Sequence, residues 1–418
     1  MDKINTYLWF AYLPPKVLPG WLDSCVTREN KGLTYTPEEV TIRFNILFDK
    51  LVSENLGERH IIPLSGGWDS RAILGALLER LSTNEIETVT FGVPGQLDYD
   101  IGLKVSRWAG VKSHPIDLRT LNFTWNSIIE SVKKSPWTYV PDVFFNQYSL
   151  NYLAEAQNII WSGFLGDLIN GGHARSKRNH TDQIKNFIDK ERRLKLFSLV
   201  KEDFDPYSLL KMPSTNCNIS IEDALMLGYH CTNCTTPINL PTGKWDDWSS
   251  KIVSRDKKLN FVTPFIDMNW AGYWLQAPDS ARLQQKLFFN FFSKKFDELY
   301  KLPSKSNLGQ SSNKVLYLIK RLNHGLSKRI KHRLPIFHFL ANSTKNYVDY
   351  DEMFRSRKDY QETLITAFDY LKKNQIVPWL NLDKLWNEHM KRRKNHGEAF
   401  QILLGLAANL NVEDQYSK

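Results

Sequence analysis

The stretch His60-Ile61-Ile62-Pro63-Leu64-Ser65-Gly66-Gly67-Trp68-Asp69-Ser70-Arg71 decides the fold. Its first five residues, HIIPL, read as a buried strand. Residues 71–80, RAILGALLER, read as a helix with Ala72, Ile73, Ala76 and Leu77 on one face. Between them lies a turn of small and polar residues, Ser65 to Ser70. A phosphate needs backbone N–H donors with no side chain in the way. Two glycines, Gly66 and Gly67, permit close approach, and a helix start supplies donors and a favourable dipole. Ser65 and Ser70 add hydroxyl donors. Asp69 would repel a phosphate unless a cation lay between them, so it reads as a Mg²⁺ ligand. The motif is neither the Walker A pattern, which ends in Gly-Lys-Ser/Thr, nor GxGxxG. The plain alternative is a strand-to-helix turn that binds nothing.

Working outward, short apolar runs alternate with amphipathic stretches. Glu87 to Phe91 and His114 to Leu118 read as strands, with Ile101 to Trp108 and Phe123 to Lys134 as helices. Asn158 to Trp161 reads as a further strand. This alternation predicts a parallel sheet with crossover helices, and ligands in such sheets sit at the carboxyl ends of strands. After the strand at 158–161 comes a second turn, Ser162-Gly163-Phe164-Leu165-Gly166-Asp167-Leu168-Ile169-Asn170-Gly171-Gly172-His173. It again puts small residues and one carboxylate, Asp167, at a strand end. Two carboxylates from two strand ends suit Mg²⁺ on a triphosphate. The alternative is a loop whose glycines serve only to turn the chain. From about residue 251 onward the pattern is mostly helical.

Taken together, these residues resemble the synthetase domain of the asparagine synthetase family. Ser65–Ser70 is similar to that family's pyrophosphate loop, SGG-x-DS. The resemblance implies an ATP pyrophosphatase that cleaves between the α- and β-phosphates. Ser162–Gly172 is similar to the family's second loop, with Asp167 on its Mg²⁺-binding aspartate. Thr263-Pro264-Phe265-Ile266-Asp267 resembles its PFLD segment. Lys305, in Leu302-Pro303-Ser304-Lys305-Ser306-Asn307-Leu308-Gly309, falls where the family carries a pyrophosphate-facing lysine. The resemblance also implies adenine contacts from the backbone at Leu64, Phe91 and Gly163; without it, Phe91 reads simply as core. Ser162 lies in the same implied nucleotide site. His389 to Leu406 looks like the family's terminal helical part. The resemblance is close over residues 57–310 and loose elsewhere.

Two departures shape the expectation. Glutamine-dependent members begin with a glutaminase domain whose nucleophile is an N-terminal cysteine. Here the second residue is Asp2, and only about 60 residues precede the loop. The nitrogen is therefore expected from free ammonia, a separate glutaminase subunit or an amine substrate. The family's second loop usually has Glu where this chain has Phe164, and that Glu contacts the acceptor in asparagine synthetase. A larger carboxylate than aspartate is the better comparison, such as a sugar acid of a surface polysaccharide or a peptide or β-lactam precursor.

The remaining features bound this reading. The chain has 418 residues, 42% hydrophobic and 24% charged, which excludes global disorder and leaves ample core. No apolar run reaches the ~18 residues of a membrane helix, and no signal peptide is read at the start. Four cysteines are too few for a disulfide framework. A cytoplasmic protein is expected. The net charge of +10 favours anionic partners without choosing among them. Cys217, Cys231 and Cys234, with His230, offer zinc ligands but no second clean pair; buried thiols are the preferred reading. The basic residues from Lys320 to Arg333 suit RNA or an anionic membrane, but a solvated helix face is preferred.

The expected fold is thus α/β, a parallel-sheet ATP-pyrophosphatase (adenine nucleotide alpha hydrolase-like) core with an α-helical C-terminal part. Residues 1–56 form an N-terminal helical or irregular segment. Residues 57–310 form the synthetase core, with an insertion at 176–250. Residues 311–418 form a basic linker and the helical part. The expected cofactors are ATP and Mg²⁺, with Lys305, Asp69 and Asp167 as the catalytic set. Two rivals stay open: a pyrophosphatase that modifies a nucleic-acid base, and a nucleotide-binding module that has lost catalysis.

Overall fold

The computed structural model describes residues 2–13, 32–56, 59–134, 136–140, 144–145, 158–172, 199–206, 227, 260–305 and 348–416. Cys217, Cys231 and Cys234, the basic stretch 313–333 and most of the expected insertion lie outside them.

Among the described residues, five strands form one parallel sheet: β1 (Arg59–Pro63), β2 (Ile86–Gly92), β3 (Lys112–Asp117), β4 (Asn158–Trp161) and β5 (Asn260–Val262). The order across the sheet is β3-β2-β1-β4-β5. Every pair is parallel, with His60 opposite Ile86 on one side of β1 and opposite Ile159 on the other. The chain therefore builds outward from β1 in one direction, then returns to β4 and builds in the other. The order reverses between β1 and β4, the place where open α/β sheets leave a crevice at the strand ends.

Helices α1 (Lys3–Phe10), α2 (Pro37–Ser53), α3 (Asp69–Leu78), α4 (Leu97–Ala109), α5 (Trp125–Lys134) and α6 (Gly166–Ile169) intervene or precede. Local chemistry sets their ends. Thr36 caps α2 by accepting the Glu39 N–H at 3.2 Å, with Pro37 at the first helical position. Gly110 ends α4 at φ 66, a conformation that suits glycine. Helix α3 starts at Asp69, so Asp69 and Ser70 belong to its first turn. Helix α6 replaces what reads from sequence as an open turn. Strand β5 was not anticipated: three residues are too few to show a period, and its pairing with β4 is what makes it a strand.

After β5 come α7 (Met268–Leu275), α8 (Asp279–Arg282), α9 (Lys286–Lys295) and α10 (Asp297–Lys301). The first apolar cluster gathers α2, α3, α7 and α9 with the sheet. Phe44 of α2 meets Phe291 and Trp270, and Phe48 stacks on Trp161 of β4 at 6.0 Å. The helical tail comprises α11 (Tyr350–Ser356), α12 (Lys358–Lys373), α13 (Leu382–Met390) and α14 (Gly397–Tyr416). Helix α14 is buried on nearly every side and joins α1, α5 and α12 in a second cluster. The first and last helices thus share one core. Gly405 allows this, since a Cβ there would lie 2.2 Å from the Tyr7 hydroxyl.

The tail also holds the loop after β3. The Asp359 carboxylate accepts the Phe123 N–H at 2.9 Å, and the Thr363 hydroxyl donates to the Phe123 carbonyl at 2.9 Å. Within the tail, His389 is fully buried. Its Nε2–H donates to the Asp351 carbonyl at 3.0 Å, and its Nδ1 accepts the His396 N–H at 3.0 Å. Only the neutral ring satisfies both bonds, because a proton on Nδ1 would face another N–H. Burial, helped by the Arg355 charge, pushes the imidazole down to about 4.

A depressed histidine contributes stability that is present above its ordinary value near 6.5 and lost as pH falls toward 4. We expect stability to fall by about 3 kcal/mol over that window. Urea unfolding at several pH values checks this: His389→Asn should be less stable at pH 7 yet show a flatter slope in the same window. An equal slope in the two proteins would show that His389 is not the titrating group.

Candidate active site

The two glycine-bearing turns meet at the carboxyl ends of β1 and β4. The first is braced from within. The Leu64 N–H donates to the Val89 carbonyl at 2.8 Å, and its carbonyl accepts the Thr90 hydroxyl at 3.0 Å. The Gly67 N–H donates to Ser65 Oγ at 3.1 Å, and the Ser65 N–H to Ser70 Oγ at 3.3 Å. Each hydroxyl acts there as acceptor, and the two oxygens lie 3.5 Å apart, so one hydroxyl proton can bridge them while the other is left to give. The Gly66 N–H donates to Asp98 Oδ1 at 3.0 Å. The amides of both loop glycines therefore have acceptors inside the chain. The start of α3 adds backbone donors, and its N-cap residue Trp68 gives no side-chain cap.

Asp98 and Lys305 complete this corner. The Lys305 N–H donates to the Gly66 carbonyl at 3.1 Å, and its Nζ lies 2.9 Å from Asp98 Oδ2. One buried carboxylate thus spans the loop amide and the lysine ammonium. A Cβ at Gly66 would sit 3.1 Å from Asp98 Oδ1 and 3.3 Å from Lys305 Cβ, so glycine is what lets the three groups converge. Lys305 Nζ carries three hydrogens and its side chain is about half exposed, so donors remain beyond the one given to Asp98.

The second turn brings in the other carboxylate. The Ser162 N–H donates to the Val262 carbonyl of β5 at 2.8 Å, and Ser162 Oγ accepts the Phe164 N–H at 3.3 Å. Leu165 is buried at φ 61, a left-handed conformation costly for a branched side chain, and it turns the chain into α6. Gly166 follows; a Cβ there would lie 2.5 Å from Asp69 Cγ and 2.8 Å from Phe265 Cδ2. Any larger residue would push the two turns apart. Asp167 comes next and is exposed. Its N–H donates to the Asp69 carboxylate, so main chain and side chain of Asp167 both address Asp69.

Asp69 is the strained member. Burial, reinforced by the Asp167 charge, holds its carboxyl well above the usual carboxylate range. Its Oδ1 is wholly buried and has no hydrogen-bond partner among the described residues. An orphaned carboxylate oxygen beside a second carboxylate is a donor set for a hard cation. Mg²⁺ accepts one or two carboxylates and fills its remaining positions with water and phosphate oxygen. Among the described residues no group of three or more metal-ligating side chains converges. The residues present fit Mg²⁺ in that partial sense.

The other expected residues fall as follows. Phe91 is on β2 opposite Ile116, partly buried against the second apolar cluster. Gly163 lies beside the start of α3, its position for a Cβ 3.3 Å from the Ser70 nitrogen. Phe164 is half-buried against the first cluster. Asp267, the aspartate of the PFLD-like segment, caps α7 by accepting from the N–H groups of Asn269 and Trp270. Three residues were missed from sequence: Asp98, Arg71 and Gly166. Only the acid in the first turn of α4 and an arginine opening an otherwise apolar helix signalled the first two. No protein-family model matches the chain, and no curated protein matches it.

The raised Asp69 carboxyl has a sign that can be checked. Ionised Asp69 is penalised in the folded chain, so below the ordinary carboxylate range near 4 the penalty is gone and above it the penalty grows. Asp69→Asn should therefore raise the melting temperature at pH 7 in chelator, and the gain should shrink toward pH 4. Millimolar Mg²⁺ should narrow that gap by stabilising the native chain alone. A less stable Asp69→Asn protein at pH 7, unresponsive to pH, would contradict the assignment.

Proposed function

We propose that this chain is an ATP-dependent amide-forming ligase of the asparagine synthetase type, with an ATP-pyrophosphatase core. The observation that carries it is the convergence of Asp69, Asp167 and Lys305 on one loop at the reversal point of a parallel sheet. The first two suit a Mg²⁺-bound triphosphate and the third suits a departing anion. No described residue offers a second reading with comparable geometry, and the retained trio favours an active enzyme over an inert nucleotide-binding module.

In this reading a substrate carboxylate attacks the α-phosphorus of ATP. The bond between that phosphorus and the β-bridging oxygen breaks, giving an acyl-adenylate and pyrophosphate. Ammonia or an amine then attacks the acyl carbon, with loss of AMP and a proton. Adenylation is needed because a carboxylate oxygen is a poor leaving group. Mg²⁺, when bound, neutralises triphosphate charge. The α3 N-terminus, Ser65 and Ser70 orient the phosphates, and Lys305 meets the negative charge that grows on the leaving group. Phe164 puts an aromatic ring where, by the resemblance, asparagine synthetases carry a carboxylate, which supports a larger acceptor such as a sugar acid or a peptide precursor.

Incubation with Mg·ATP, ammonium and a panel of carboxylates should yield AMP and pyrophosphate. ADP as the sole nucleotide product would refute the proposal. Lys305 should act mainly on the chemical step, because its interaction strengthens as pyrophosphate separates. Lys305→Ala should lower kcat about a hundredfold and move the KM for ATP far less. A well-folded variant with native kcat would remove Lys305 from the site.

A further inference from the structure

Arg71 is the third residue of α3 and is fully buried. Its Nη1 donates to the carbonyls of Leu299 at 3.2 Å and Leu302 at 3.4 Å, and its Nη2 donates to the Pro303 carbonyl. The Trp68 ring lies 4.9 Å from its guanidinium carbon. No carboxylate pairs with it among the described residues. Burial lowers its pKa to about 10, so it remains a cation at neutral pH.

A buried charge held only by carbonyls is a costly way to fill a helix face that apolar side chains fill elsewhere along α3. What the guanidinium does is close the end of α10, where the last carbonyls have no helical partners. Leu299, Leu302 and Pro303 then lead directly to Lys305. Ser304, between them, is fully buried. Two residues past Pro303, the Lys305 N–H reaches the Gly66 carbonyl. The phosphate-loop helix thus grips one end of this short segment through Arg71, and the phosphate loop grips the other through Gly66. Planar fork geometry suits simultaneous contact with several carbonyls, which a lysine's compact ammonium matches poorly.

We propose that Arg71 is a positioning residue that acts through Lys305: it fixes the 299–303 turn so that the Lys305 ammonium stands at the loop before pyrophosphate is there to attract it. The inference rests on the function proposed above for its purpose, and on the structure alone for its geometry. The loop's own helix thereby sets the place of a lysine more than 230 residues away in sequence.

Two measurements test it. The first is hydrogen exchange at the Lys305 amide in the full chain. Arg71→Lys should raise its exchange rate at least tenfold while β1 and β2 amides keep native protection. Unchanged exchange at Lys305 would overturn the proposal whatever the chain binds. The second is binding of Mg·pyrophosphate by calorimetry in a double-mutant cycle. Lys305→Ala should weaken binding ten- to a hundredfold and Arg71→Lys about tenfold. The double variant should be no weaker than Lys305→Ala within about twofold, since Arg71 acts through that lysine. Additive losses would overturn the positioning role and leave Arg71 merely structural. Arg71→Met should mimic Arg71→Lys more severely; if it does not fold, Arg71→Lys alone decides. A native chain that does not bind Mg·pyrophosphate would instead count against the proposed function, and the exchange result would still judge the Arg71 contact.

Discussion

Two carboxylates, Asp69 and Asp167, are forced together where the strand order of the sheet reverses. Like charges in a partly buried place repel, and Asp69 carries the cost as a carboxyl pushed toward its neutral form. The fold concentrates compensation there. Asp69 opens a helix, whose N-terminus favours negative charge, and it accepts the Asp167 N–H. Gly166 leaves room for its carboxylate, and Leu165 holds a left-handed turn so that α6 can begin. The parallel order β3-β2-β1-β4-β5 is what makes two such turns neighbours at all. A cation set between the two carboxylates, as in the function proposed above, would relieve this repulsion.

Around that pair, buried arginines donate to backbone carbonyls. Arg282 is buried, and its Nη2 points to the carbonyls of Leu168 and Ile169 at 3.4 and 3.5 Å, the end of the short helix that bears Asp167. Arg71 does the same for the turn that bears Lys305. Charge-assisted bonds to carbonyls are stronger than neutral ones, so these contacts help to hold short turns that have no core of their own. The helical tail stabilises the opposite side of the sheet ends, where Asp359 and Thr363 fasten the Phe123 backbone.

Much of this was legible before the fold was known. An apolar run, two glycines and a one-faced apolar helix make β1, its turn and α3 readable, because each signal is local. The same holds for β2, β3 and β4. Strand β5 was not readable: Asn260–Val262 is too short to carry a period, and its neighbour on the sheet is a hundred residues earlier. Asp69 and Asp167 could be nominated from their strand ends, and Lys305 from a resemblance. Asp98 could not, since its bond to Gly66 closes across 32 residues. Arg71 was hidden for a different reason. A charged residue at a helix start reads as solvent-facing, and only the tertiary approach of Leu299 to Pro303 gives it acceptors in the interior. Likewise Gly67 reads as a phosphate donor, whereas its N–H is spent on Ser65 within the turn.

The role proposed for the loop is to activate a carboxylate by adenylation. The most direct test follows oxygen. A carboxylate substrate that drives pyrophosphate release should be labelled with ¹⁸O in both carboxyl oxygens and turned over with ATP and ammonium. Attack on the α-phosphorus predicts one ¹⁸O in each AMP phosphate and one in the amide. AMP without ¹⁸O, with turnover intact, would contradict an acyl-adenylate and with it the chemistry assigned to this site.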